Sequence, residues 1–146
     1  MKELIDSIKK HEGYREKVYK DHLGYDTIGY GFAIKDLKLS EDICNIILLE
    51  KVEQIITKLT EKYDWFDGAE ERIKEVVIEM CYQLGISGFS KFKKTISYLA
   101  KKDYENASNE MLDSKWAKVQ TPSRAMSLSN KVYYRSSNAI KWRQRV

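Results

Sequence analysis

Residues 11–32 read HEGYREKVYKDHLGYDTIGYGF, and the character of this stretch decides the fold. Val18, Tyr19, Tyr25, Ile28, Tyr30 and Phe32 favour extended chain, and HLGYD supplies turn chemistry between them. The pattern predicts a small antiparallel hairpin, with a third short strand near 33–37. Four carboxylates (Glu12, Glu16, Asp21 and Asp26) crowd into the same stretch with Thr27 and four glycines.

Side chains alternate along a strand, which would put Tyr25, Thr27, Gly29 and Gly31 on one face and Asp26, Ile28, Tyr30 and Phe32 on the other. Two glycines on one face give up packing and entropy there. Either a bulky ligand approaches the bare backbone beside the Thr27 hydroxyl, or the chain bulges. Glycoside hydrolysis needs two carboxyl groups in unlike surroundings, one protonated and one ionised. Glu12 falls at the C-terminal end of a helix, where the dipole opposes negative charge, and suits a general acid. Asp21 lies at a strand end beside a turn and suits an ionised base. Both are also compatible with ordinary surface carboxylates, as are Glu16 and Asp26. His11 and His22 flank the same acids, but no HExxH-type spacing is present and no metal is expected.

On the N-terminal side, Leu4, Ile5 and Ile8 recur at helical spacing, which predicts a helix over 2–12. Lys9, Lys10 and His11 suit its last turn, and Gly13 can close it. On the C-terminal side, Ser40 with Glu41 and Asp42 opens a long helix. Its apolar stripe (Ile43, Ile46, Ile47, Val52, Ile55, Ile56, Leu59) runs to about 62. YDWFDG at 63–68 breaks the pattern, and further helices are expected over 69–84, 90–101, 103–113, 121–134 and 136–143. LGISGFS and QTPS punctuate them, with Pro122 tolerated in a first turn. The predicted architecture is α+β and mainly helical. A small antiparallel β lobe (13–38) is joined by a long helix (40–62) to a larger helical lobe (63–146, with the N-terminal helix). The whole is read as one domain, 1–146, with a cleft between the lobes as the binding site.

Hydrophobic residues make up 42% of the 146 and charged residues 33%, a globular balance. No apolar run approaches the roughly 20 residues of a membrane span, and MKELIDSIKKHEGYREK lacks the apolar core of a secretion signal. Synthesis in the cytoplasm without stable membrane insertion is therefore expected. Cys44 and Cys81, lacking CxxC spacing, are read as buried small hydrophobes. The net charge of +4 is asymmetric, because 114–146 holds eight Lys or Arg and no Asp or Glu. With Trp116, Tyr133, Tyr134 and Trp142, that basic end would suit a polyanion, nucleic acid or anionic cell wall, or a solvated face.

Three separated motifs resemble one family. Glu12-Gly13, Tyr19-x-Asp21, Gly24 and Thr27-Ile28-Gly29-Tyr30-Gly31 resemble the signature of the phage lysozymes, glycoside hydrolase family 24. That family's Glu, Asp and Thr follow one another at intervals of nine and six, as Glu12, Asp21 and Thr27 do. MCYQLGISGFSKFKKT resembles its cleft-lining helix and turn in Tyr82, Gln83, Gly85, Gly88 and Phe92. SKWAKVQTPSRA resembles its late segment in Trp116, Gln120, Thr121, Pro122 and Arg124.

The resemblance implies a lysozyme-like fold and hydrolysis of the β-1,4 bond between N-acetylmuramic acid and N-acetylglucosamine in peptidoglycan, with inversion and without a cofactor. Glu12 would protonate the leaving oxygen, Asp21 would activate water, and Thr27 would position it. Arg124 would pair with Glu12. Tyr82, Gln83, Thr95, Gln120 and Ala33 would contact sugar. Taken as structure alone, Arg124 is a surface arginine, Tyr82 core packing and Thr95 a helix-surface residue. The family further implies a monomeric endolysin that acts on peptidoglycan glycan strands and not on nucleic acid. It would reach the periplasm and wall from the host cytoplasm with a holin's help and lyse the host. Phe32 departs from the histidine or other polar residue of many members, His11 from an acidic neighbour, and the 33–39 segment is short. Three rivals remain open: a non-catalytic glycan-binding or phage structural module, a nucleic-acid binder, and a metal hydrolase.

Overall fold

A computed structural model describes residues 1–134. The helix expected over 136–143, with Lys141, Trp142 and Arg143, lies outside them, as do Arg135 and Arg145. The chain divides into two compact units, Met1–Ile46 and a second beginning at Ile47.

The first unit opens with α1, Lys2–Glu12. Gly13, at φ 71°, donates its N–H to the Lys9 carbonyl at 2.9 Å and ends the helix as its sequence signals. A three-stranded antiparallel sheet follows in chain order: β1 (Arg15–Lys20), β2 (Asp26–Gly29) and β3 (Phe32–Ala33). Tyr19 pairs with Thr27 and Lys20 with Asp26, with an irregularity between Arg15 and Tyr19. Thr27 pairs in turn with Ala33, and Ile28 with Phe32.

The third strand is shorter and earlier than expected. Gly29 and Gly31 take φ 68° and 74°, a left-handed pair that reverses the chain at Tyr30. Strand alternation therefore ends at Gly29, and Gly31 does not share the Thr27 face. A 3-10 turn over Ile34–Asp36 then stops β3.

Helix α2 (Glu41–Lys62) begins where Ser40 Oγ accepts the Ile43 N–H at 3.3 Å. Its expected apolar stripe is buried only toward its C-terminal end. Leu59 is buried and Ile55 packs against the core of the second unit, while Ile43, Ile46, Ile47 and Ile56 are exposed.

In the second unit, α3 (Glu71–Ser90) carries Ile73, Val76, Val77 and Met80 into the core. Gly85 leaves helical geometry (φ 76°, ψ 162°), so the first helical stretch breaks after 84 where LGISGFS signals it, and a second stretch runs on to Ser90. α4 (Lys93–Ala100) and α5 (Tyr104–Leu112) follow, and Asp103 caps α5 through the Asn106 N–H at 3.3 Å. A π turn over Trp116–Gln120, not foreseen from the sequence, leads to α6 (Pro122–Tyr133), which has proline in its first turn. Ser108 and Ser129 are buried where α5 meets α6, their hydroxyls 2.8 Å apart. Arg72 donates to the Lys131 and Val132 carbonyls near the end of α6. These are groups that a helix leaves without partners of its own.

The architecture is thus a lysozyme-like α+β fold, mainly helical with one small sheet among the described residues. Of the two thiols, Cys81 is buried as expected, but Cys44 is exposed because the α2 face that carries it stays outside any core.

Candidate active site

Glu12, Asp21, Thr27 and Ala33 all belong to the first unit. Asp21 follows β1 directly, and its own turn holds it. Its Oδ1 accepts the N–H groups of Leu23 and Tyr25, both at 2.9 Å. The Tyr25 bond, supported by the Leu23 bond, holds this carboxyl below its ordinary value of 3.8, although desolvation opposes the shift. Asp21 is accordingly a carboxylate at neutral pH.

Thr27 is 3% exposed, and its hydroxyl donates to the Tyr25 carbonyl at 2.9 Å. That carbonyl also accepts the Asp21 N–H at 2.9 Å. One residue, Tyr25, therefore fixes both functional side chains through its backbone, the acid by its N–H and the hydroxyl by its C=O. Its ring lies under Lys35 Nζ, 3.9 Å from the centroid. A cavity of about 390 Å³ opens here, lined by Gly24 and Tyr25 of the turn with Lys20, Asp26, Ile34 and Lys35. Ala33 stands across the sheet from Thr27. Glu12 is the last residue of α1, and its carboxylate lies against the backbone of Gly31.

The remaining residues belong to the second unit. Tyr82 is 48% exposed rather than packed in the core. With Gly85, Gln54, Lys51 and Lys58 it lines a cavity of about 360 Å³. Thr95 is the reverse case: only 2% exposed, it lines a cavity of about 410 Å³ with Phe92 and Lys94. Gln120 is exposed at the end of the π turn.

Gln83 joins the second and third sequence motifs. Its Nε2 donates to Thr121 Oγ1 at 3.2 Å, and its Oε1 accepts the Trp116 indole N–H at 3.1 Å. Both ends of the amide are thus engaged inside the protein. Arg124 donates from Nε to Glu79 Oε2 at 3.1 Å, whereas the resemblance implied Glu12 as its partner. Glu79 was invisible to sequence reasoning, because 45 residues separate the pair.

Among the described residues no group of three His, Cys, Asp or Glu could hold a metal ion, and no helix is long and apolar enough to cross a membrane.

An ionised aspartate and a buried threonine, both held by the backbone of Tyr25, are groups a glycosidase can use, and the family match makes the class a lysozyme-type glycosidase. Residues 9–131 match the family described as phage lysozyme, and the chain belongs to that family. It is similar to "Probable T4-type lysozyme 1" of Dictyostelium discoideum, at 27% identity over 94% of this chain and 98% of the relative. It is also similar to "Probable T4-type lysozyme 2" of the same organism, at 26% identity over 84% and 88%.

Proposed function

We propose that this chain is a muramidase. It would cleave the β-1,4 bond between N-acetylmuramic acid and N-acetylglucosamine in peptidoglycan, with Glu12 as general acid, Asp21 as base and Thr27 as the residue that orients water. The observation that carries the reading is the shared anchoring of Asp21 and Thr27 on Tyr25. Thr27 donates its proton to the Tyr25 carbonyl, so toward a water its oxygen acts as acceptor. Asp21 Oδ1 is held by amides, which leaves Oδ2 to take the water's other proton. A water bound between the two is oriented with its lone pair toward the sugar. As C–O cleavage proceeds, Glu12 gives its proton to the leaving oxygen, Asp21 takes one from water, and the hydroxide equivalent bonds to C1.

Attack by water from the face opposite the leaving group inverts the anomeric centre, so the first product is the α-anomer. NMR of the fresh reducing end at early times reads this directly, and an initial β-anomer would overturn the role of Asp21. Tyr82, Thr95, Gln120 and Ala33 serve as sugar contacts in this reading. Gln83 acts through Trp116 and Thr121 as a strut for them.

The lysozyme names of the Dictyostelium relatives favour this enzyme over the non-catalytic module. The biological setting we infer is an endolysin, released to the wall by a holin and causing host lysis. Its basic segment from Ser114 onward would favour the anionic wall over short soluble glycans. Clearing of outer-membrane-stripped cells by wild type and by Glu12→Gln tests the core of the proposal. The amide variant should fold normally and lose about 10²–10⁴-fold in activity, the usual contribution of general acid catalysis. Retained activity removes Glu12 from the mechanism.

A further inference from the structure

The turn Gly29–Tyr30–Gly31 meets the end of α1. A Cβ placed on Gly31 would fall on the Glu12 carboxylate, nearest Oε2, at 3.0 Å from Cδ and 3.6 Å from Cγ. Gly13 and Gly24 share the left-handed φ, yet nothing lies within 4 Å of where their Cβ would stand. At those two positions glycine answers a conformational need only. At Gly31 it also leaves the volume that the carboxylate occupies.

The turn is fastened from both sides. The Tyr30 ring lies 5.6 Å from Tyr14, two residues beyond Glu12, and Lys9 Nζ stands 5.5 Å from its centroid, three residues before Glu12. Tyr30 also meets Phe32 edge to face at 6.4 Å. The Phe32 ring in turn fills the space beside Gly29, 2.8 Å from where that Cβ would be. Ring–ring and cation–ring contacts of this kind, made from both sides, hold the three-residue turn against the end of α1.

We propose that this turn is the seat of the Glu12 carboxyl: Gly31 is a positioning residue that sets where the proton is delivered, and Tyr30 is the anchor that keeps the seat against α1. The proposal rests on Glu12 being the general acid. Proton donation requires the carboxyl within hydrogen-bond reach of the glycosidic oxygen. A carboxyl laid against bare backbone has little freedom to swing out of that reach. A methyl group in the seat displaces it, and a displacement of about 1 Å can cost about 10²-fold in rate. Substrate binding through other residues is untouched, so the loss falls on kcat and not on KM.

The test compares Gly31→Ala with Gly31→D-Ala, the latter assembled by ligating a synthetic 1–43 segment to a recombinant remainder at Cys44. D-alanine favours positive φ and carries its methyl away from the Glu12 side of Cα. Glu12→Gln is measured in parallel on a soluble peptidoglycan oligosaccharide. The expected result is a kcat loss of about 10²-fold with unchanged KM for Gly31→Ala, a shifted alkaline limb of its pH–rate profile, and near-wild-type kcat for the D-Ala protein. Equal loss in both proteins, or wild-type kcat in Gly31→Ala, overturns the seat. If Gly31→Ala does not fold, Tyr30→Leu frees the turn without touching Glu12. Its kcat should fall at constant KM, and an unchanged kcat likewise overturns the proposal. An active Glu12→Gln would instead sink the general-acid reading itself, which keeps the two failures distinguishable.

Discussion

The two units hold their shapes by different means. In the first, Thr27 is the only buried residue. Form there comes from left-handed glycines, from backbone N–H groups captured by Asp21, and from rings and cations stacked around Tyr30. In the second, Leu59, Phe66, Met80, Phe89, Met111 and Val132 form part of one continuous apolar core. The residues assigned to proton transfer lie in the unit without such a core. Polar groups set by backbone geometry can be placed for chemistry without being dehydrated, whereas a packed core offers rigidity to the surfaces around it.

That contrast can be broken by substitution. The largest effect belongs to Asp21→Asn, which should lower lytic activity by about 10²–10⁴-fold while thermal stability at neutral pH barely moves. The same variant tests the sign of a pH effect. The folded Asp21 carboxyl sits below its ordinary 3.8 because of the Tyr25 and Leu23 amides. Its contribution to the turn is therefore present above the unfolded value and is lost as pH falls through the folded one. On acidification the Leu23 and Tyr25 amide resonances of the wild type should shift together, and those of Asp21→Asn should not. A thermal midpoint that collapses at neutral pH would show the first unit to be held by more than local geometry.

The core should behave in the opposite way. Phe89→Ala removes a fully buried ring that meets Tyr63 edge to face at 6.0 Å. A loss of about 3–5 kcal/mol in unfolding free energy is expected from denaturant titration. Specific activity of the remaining folded fraction should stay near wild type.

Gln83→Leu has a smaller effect and sharpens the assignment of that residue. As a strut it should cost about 1–3 kcal/mol, because the indole N–H of buried Trp116 loses its acceptor. A rise in KM without a change in stability would make it a sugar contact instead.

The smallest perturbation is a thiol label. Cys44 is exposed, whereas burial pushes the Cys81 thiol up to about 12. A single alkylation at Cys44 is expected at neutral pH in the folded protein, with Cys81 reacting only after denaturation. Double labelling without denaturant would mean that the core opens far more readily than its packing implies.

Local signals were legible wherever a residue acts on its own neighbours. Gly13 closing α1, Ser40 opening α2 and Pro122 entering α6 follow from capping rules that reach no further than one helical turn. The intervals linking Glu12, Asp21 and Thr27 are equally local, since a helix end, a strand, a turn and a second strand follow one another to carry all three. The same reasoning failed at Gly31, which alternation put on the Thr27 face. A positive φ at Gly29 had already ended the strand.

By itself the sequence determined the order of the main elements, the helix ends that carry caps, the hairpin and the triad spacing, because capping bonds within one helical turn and pairings across one short turn settle them. Only the tertiary structure decided which side chains are exposed and what each long-range group touches. Tyr82 faces solvent and Thr95 is covered, against expectation for an aromatic and a hydroxyl on amphipathic helices. Arg124 found Glu79, Gln83 joined Trp116 to Thr121, and the Glu12 carboxylate came to rest on Gly31. Each of these contacts joins residues 19 or more positions apart, where no periodicity or propensity carries information. Their partners are chosen by how whole helices and turns pack, and that choice is made by the summed burial and shape of the elements rather than by any one residue.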